Sequence, residues 1–191
     1  RLTGVPAMLE WTPDDLTEEG LWERWLESEA VRAFESGRIG PDQFAKQTID
    51  EFELTVSEEQ FLDAFVTWID GLFDGVEDLL ARLRPNVGLA TMSNTNEIHW
   101  PKLIESMGLG RLIPDHFPSH RTGLLKPDTD AFLNVIDRLG VQASQILFFD
   151  DNQLNVRAAR KTGMQAARVS GPYEVESHIL ELSPRLLDTK D

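Results

Sequence analysis

The chain has 191 residues, 41% of them hydrophobic and 27% charged, a globular balance in a length that holds one mid-sized domain or a core with a smaller insertion. Its 18 basic and 33 acidic residues leave a formal charge of −15, which repels phosphate backbones and anionic lipids and argues against nucleic acid and membrane surfaces as partners. The absence of cysteine rules out disulfides, thiolate metal sites and thiol nucleophiles. No apolar run approaches the roughly 18 residues of a membrane span. The amino terminus has no secretory pattern, and the absence of cysteine fits the expected cytoplasmic location.

Gly4, Pro6 and Pro13 mark residues 1–13 as a linker or helix end. From about Asp14 to Gly71 the pattern is helical. Trp22, Trp25, Leu26, Ala30, Ala33 and Phe34 recur at spacings of three and four, and Gly37 stops that helix. Gly40-Pro41 restarts the chain, with Pro41 suited to a first turn and Phe44, Ala45, Thr48, Ile49 and Phe52 as the next stripe. Ser57-Glu58-Glu59-Gln60 is a capping box, followed by Phe61, Ala64, Phe65, Trp68 and Ile69 on one face. The tryptophans of this all-α block read as core.

After Phe73 the pattern changes. A short helix is expected over 78–83, and a strand over Val87–Met92, whose uncharged run suits a strand covered on both faces. A helix over about 97–107, with Pro101 in its first turn, precedes a short strand at Phe117. Phe132, Val135, Ile136 and Leu139 stripe the next helix, which Gly140 closes. Ile146–Phe149 is a second buried strand. It runs into Asp150-Asp151 and a helix ending at Gly163. Ala166–Val169 is a last strand before a polar tail. Strands alternating with helices predict an α/β fold with a parallel sheet.

Three segments carry chemistry, each where a strand ends or a loop meets a helix, the usual place for ligands in open α/β sheets. Ser93 and Asn94 follow the strand at 87–92, where a hydroxyl, an amide and helix-start N–H groups suit a phosphoryl oxygen or, alternatively, a plain helix cap. Lys126 precedes Pro127, which favours an extended backbone at the lysine; it reads as an aimed ammonium or as an ordinary exposed lysine. Asp150 and Asp151 place two carboxylates at the tip of an apolar strand. Such a pair calls for a cation or a proton, and hard oxygen ligands suit magnesium; the other reading is a pair of helix-capping aspartates. His120 and Arg121, shortly before Lys126, read as a surface loop or as groups reaching substrate.

In order, Ser-Asn at a strand tip, Lys-Pro, Asp-Asp at a strand tip, Asn155, and a helix ending at Gly163-Met164 resemble the haloacid dehalogenase superfamily over residues 73–170. That resemblance implies a Rossmann-like parallel sheet flanked by helices, with an inserted α-helical cap: residues 1–71 as cap and 72–191 as core. It implies that Ser93 bonds the phosphoryl group, Asn94 contacts substrate, Lys126 offsets charge on nucleophile and phosphate, and Asp150 and Asp151 hold Mg2+. The implied activity is hydrolysis of a small phosphorylated metabolite through an aspartyl phosphate. Nothing in the sequence speaks to the oligomeric state.

The family's first motif, a buried strand ending in Asp-x-Asp, has no counterpart. Asp14-Asp15 lack a preceding strand, and Asp128-Thr129-Asp130 follows Lys126-Pro127 and opens a helix. The expectation is a stretch upstream of Arg1 that carries the nucleophile, because in the family fold that strand lies mid-sheet and its loss bares two apolar edges. A non-catalytic interaction module of the same fold is the alternative. A 2-haloacid dehalogenase fits less well, since halide departure has no use for two adjacent carboxylates.

Overall fold

The structure, a computed structural model, describes residues 2–12 and 16–187. The expected helix start at Asp14, and Pro13 before it, fall outside them. A 3-10 helix at Val5–Glu10 is followed by α1 (Glu18–Glu27), α2 (Glu29–Glu35), α3 (Pro41–Phe52), α4 (Glu58–Phe65) and α5 (Val76–Ala81). Next come β1 (Ala90–Ser93), the short α6 (His99–Pro101) running into a π-helical turn at Lys102–Ser106, α7 (Leu109–Leu112), β2 (Asp115–Pro118) and α8 (Ser119–Thr122). The chain closes with α9 (Thr129–Leu139), β3 (Leu147–Asp150), α10 (Gln153–Lys161), β4 (Gln165–Arg168) and α11 (Pro172–Leu182). It divides into two compact units. Unit 1 is residues 1–71, 93–108 and 118–125; unit 2 is residues 72–92, 109–117 and 126–191. Residues 93–108 and 118–125 fall in the same unit as the helical block.

Unit 1 is built on aromatic packing. Trp25, Phe34, Phe44, Phe52, Phe61, Phe65 and Trp68 are all buried. Phe34 stacks on Phe44 with ring centroids 4.3 Å apart, and Phe65 lies 5.0 Å from Phe44. Each buried ring of this kind contributes about 1.5–3 kcal/mol. The capping box forms as read: Ser57 Oγ accepts from Gln60 N–H, and Gln60 Oε1 accepts from Ser57 N–H. Two expectations fail. The single stripe from Trp22 to Phe34 breaks at Ser28, which is extended and caps α2 by accepting from Val31 N–H. The break rotates Leu26 outward, leaving it 62% exposed. Residues 2–12, read as a linker or helix end, instead carry a 3-10 helix packed into the core. Val5 and Met8 are wholly buried, and Trp11 stacks on Trp68. The Trp68 carbonyl accepts from the N–H groups of Thr3 and Gly4 and so pins this segment to the core.

In unit 2, β3 and β4 pair in parallel, from Leu147 opposite Gln165 to Asp150 opposite Arg168. Successive strand residues face opposite sides. Accordingly Phe148 meets Phe132 of α9 edge-on at 5.4 Å, while Phe149 packs with Leu79, Ile179 and Leu187. Two strands of the expected parallel sheet, 146–150 and 166–169, are joined directly. Among the described residues β1 pairs with β2, β3 pairs with β4, and β1 and β3 exchange no ladder bonds. The tail expected to be polar instead forms α11. Ile179 is buried, and Glu176 makes a bidentate pair with Arg82, both bonds 2.6 Å.

A β-carbon on Gly4 would lie 2.0 Å from Trp68 Cγ, whereas one on Gly88 would meet nothing within 4 Å. Gly4→Ala should therefore lower unfolding stability by about 1–3 kcal/mol in urea titration, the usual cost of overpacking. Gly88→Ala should change it little. Equal stability for the two variants would contradict the packing described.

Candidate active site

Asp150 is the last residue of β3, and both its oxygens are taken. Oδ2 accepts from the Lys126 ammonium at 2.6 Å; Oδ1 accepts from Asn152 N–H at 2.8 Å and from the Asn155 side-chain amide at 2.9 Å. The Asp150 and Lys126 side chains are only 6% and 12% exposed. Buried acceptors of this kind are held by charge-assisted bonds, each stronger than a neutral one. Asn155 is buried in the first turn of α10.

The helix-capping reading of the acidic pair does not hold. The cap of α10 is Asn152, whose Oδ1 accepts from Leu154 N–H at 2.8 Å. Asp151 is exposed, and its backbone carbonyl accepts from Arg168 Nε. The two carboxylates are thus unlike: one is locked to an ammonium inside the fold, the other faces water. The electrostatic demand of Asp150 is met by Lys126 itself, which sequence reading had assigned to nucleophile and phosphate. Lys126 also lies 5.8 Å from the Phe148 ring centroid, and its bond to Pro127 is cis rather than simply extended.

Ser93 and Asn94 belong to unit 1. Ser93 ends β1 and Asn94 follows it, and the helix-cap role is not theirs. Asn96 fills it, accepting at Oδ1 from the N–H groups of Ile98 and His99. Thr95 is fixed by buried Ser119: Thr95 N–H donates to Ser119 Oγ at 2.9 Å, and that hydroxyl lies 2.6 Å from the Glu35 carbonyl as its acceptor. His99 donates from Nε2 to the Phe65 carbonyl at 2.6 Å, and its Nδ1 accepts from the Asn96 amide at 3.3 Å. Burial pushes the His99 imidazole down to about 4, despite the opposing bond to Phe65. Sequence reading missed Ser119 and His99, whereas the cap expected of a Ser or Asn in residues 92–96 is Asn96. His120 and Arg121 form part of α8 against Trp100, with the Arg121 guanidinium 5.8 Å from that ring. Burial, then Arg121, lowers the His120 pKa.

The family model described as haloacid dehalogenase-like hydrolase matches residues 12–163. The chain belongs to that family. Among curated proteins it is 29% identical over 143 residues to a phosphoglycolate phosphatase of Pseudomonas fluorescens, covering 73% of this chain and 53% of that one. It is 31% identical over 133 residues to flavin mononucleotide hydrolase 1 of Arabidopsis thaliana, covering 64% and 53%. The chain therefore spans about half the length of these relatives. Among solved structures, a HAD family enzyme of Bacteroides thetaiotaomicron superposes with a TM-score of 0.69 at 23% identity over 85% of this chain and 82% of its own. The same enzyme in complex with magnesium and inorganic phosphate superposes at 0.66, with 21% identity and 80% of each chain covered. An L-2-haloacid dehalogenase of Xanthobacter autotrophicus superposes at 0.62, with 22% identity over 95% of this chain and 79% of its own. These likenesses establish the α/β fold of the family. No helix among the described residues is long and apolar enough to cross a membrane.

The lowered His99 pKa links stability to pH. Above about pH 6.5 the imidazole is neutral in both states and its contribution is complete. As pH falls below 6.5 the unfolded chain takes up the proton first, and stability drains until the folded imidazole titrates near 4. The full loss is roughly 2–4 kcal/mol. Urea midpoints measured from pH 7 to 4 should fall less steeply in His99→Gln than in the parent, and parallel curves would contradict the assignment.

Proposed function

We propose that the chain supplies the phosphate- and magnesium-binding residues of a phosphomonoester hydrolase acting on a small phosphorylated metabolite. The observation that carries this reading is the Lys126 ammonium held on Asp150 at the tip of β3, directly before the exposed Asp151. Three donors, the Lys126 ammonium among them, hold the Asp150 carboxylate, and the next residue in the chain faces solvent. Electrostatic groups arranged in advance stabilise charge without reorganising. In this reading Lys126 bonds a phosphoryl oxygen, Ser93 donates its hydroxyl to another, and Asn94 contacts substrate. Asn155 positions Asp150. Residues 1–71 act as the cap, with 72–191 as the core.

The donor set suits Mg2+, which is held by one or two carboxylates and completes its shell with water and phosphate. No cluster of three or more His, Cys, Asp or Glu that could hold a metal occurs among the described residues. Asp151 would be the direct ligand and Asp150 would orient the shell. The bound ion would supply neutralisation of charge on the phosphoryl oxygens. The covalent route through an aspartyl phosphate takes its nucleophile from the family's first motif, and the sequence Arg1–Asp191 has no apolar run ending in Asp-x-Asp. The two curated relatives differ in the ester named for them, so the shared class is the phosphomonoester.

The test is turnover of p-nitrophenyl phosphate by the full-length protein. Chelation should abolish it, added magnesium should restore it, and Asp151→Asn should lower kcat by about a hundredfold, a typical loss for a group stabilising transition-state charge. Undiminished turnover in chelator, or in the Asn variant, would remove the metal from the account.

A further inference from the structure

Ser119 is 1% exposed, and its hydroxyl serves a backbone group from each of two elements of unit 1. The Thr95 N–H, in the turn after β1, donates to Ser119 Oγ at 2.9 Å. Glu35 closes α2, and the last carbonyls of a helix look outside it for donors. The Glu35 carbonyl accepts from Ser119 Oγ at 2.6 Å, nearer than the Thr95 carbonyl at 2.9 Å. One side chain can do this because a hydroxyl donates and accepts at once. The result is a chain of two bonds, from the turn that carries Ser93 and Asn94 to the end of α2. The His120 ring bonds the Thr95 backbone as well. The next contact is steric. Gly37, two residues past α2, has a φ of 70°, and a β-carbon on it would lie 2.4 Å from the His120 carbonyl oxygen. Even a methyl group there must move one backbone or the other, so α8 lies directly against the turn that ends α2.

We infer that Ser119 is a positioning residue: it fixes the turn of Ser93, Asn94 and Thr95 to the end of α2, and the bonds of Ser93 and Asn94 to the phosphoryl group depend on that tether. The inference rests on the phosphatase reading, in which those two residues hold the phosphoryl group. Ser119 acts through Thr95, two residues beyond Ser93, and not on the reacting atoms. The tether makes the helical block a support of the site, because a shift at the Glu35–Gly37 turn moves α8 and with it Thr95.

Two variants of the full-length protein loosen the tether from opposite sides. Ser119→Ala removes the hydroxyl at nearly constant volume. Gly37→Ala keeps the hydroxyl and pushes α8 off the end of α2. Gly140→Ala is the control for the second, since Gly140 has the same left-handed backbone, with a φ of 66°, but a β-carbon there meets nothing within 4 Å. Amide hydrogen exchange followed by NMR should speed up at Thr95 in both tether variants and match the parent in Gly140→Ala. Turnover of p-nitrophenyl phosphate is measured with magnesium, under conditions where urea titration shows each variant folded. Its kcat/KM should fall about tenfold or more in the tether variants, the scale of a slightly misplaced binding group, and stay near the parent in Gly140→Ala. In a Ser93→Ala background, Ser119→Ala should cost little more, because residues that act through one group do not add. Parent-like exchange at Thr95, unchanged kcat/KM in the tether variants, or losses that add fully to Ser93→Ala would each overturn the inference. A parent that turns over no phosphate ester would sink the phosphatase reading and this role with it, whereas an active parent matched by its tether variants would sink the role alone.

Discussion

The ion pair between Lys126 and Asp150 is the constraint on which the rest of the candidate site depends. A carboxylate that is 6% exposed is costly to bury without hydrogen-bond partners. Asp150 has three: an ammonium from the segment before α9, a backbone N–H from the turn after β3, and an amide from the first turn of α10. These bonds fix the loop, the strand tip and the helix start to one another. Removing one partner of such a buried pair typically costs about 3–5 kcal/mol because the other charge is stranded. The same bonds leave Asp151 outward. The Lys126 ammonium is therefore placed by folding, in a chain with a net charge of −15.

Much of this was legible in the sequence, and the legible parts are local. The capping box at Ser57 and Gln60, the stop at Gly140 with its positive φ of 66°, and the parallel strand ending in Asp150 follow from short-range chemistry. The order of Ser-Asn, Lys-Pro and Asp-Asp was sufficient to point to the family. What escaped depends on distant partners. Nothing in residues 1–13 announces that the Trp68 carbonyl will collect two N–H groups from them. The uninterrupted apolar spacing from Trp22 to Phe34 hides the break at Ser28, because a mid-helix serine and a capping serine look alike until Val31 N–H is placed.

The site shows the same division. Periodicity located Asp150 and Asp151 at a strand tip but could not tell that they do different work. That distinction needs Asn152 as the cap and Lys126 as the counter-charge, one adjacent in sequence and the other 24 residues away. Ser119 is harder still. Its hydroxyl ties the Glu35 carbonyl to the backbone of Thr95 across 84 and 24 residues, and a lone serine after a proline gives no hint of it. Of the three, only the cap could have been weighed from sequence spacing.

If Lys126 and the acidic tip form one anion site with magnesium, phosphate and metal must strengthen each other's binding, since linkage between two ligands is reciprocal. The most direct measurement is calorimetric titration of inorganic phosphate into the full-length protein with and without magnesium, repeated on Lys126→Met. The account predicts that magnesium tightens phosphate binding by about tenfold, within the usual range of coupling between sites, and that phosphate affinity drops in the variant. Phosphate binding that is indifferent to both magnesium and Lys126 would contradict it.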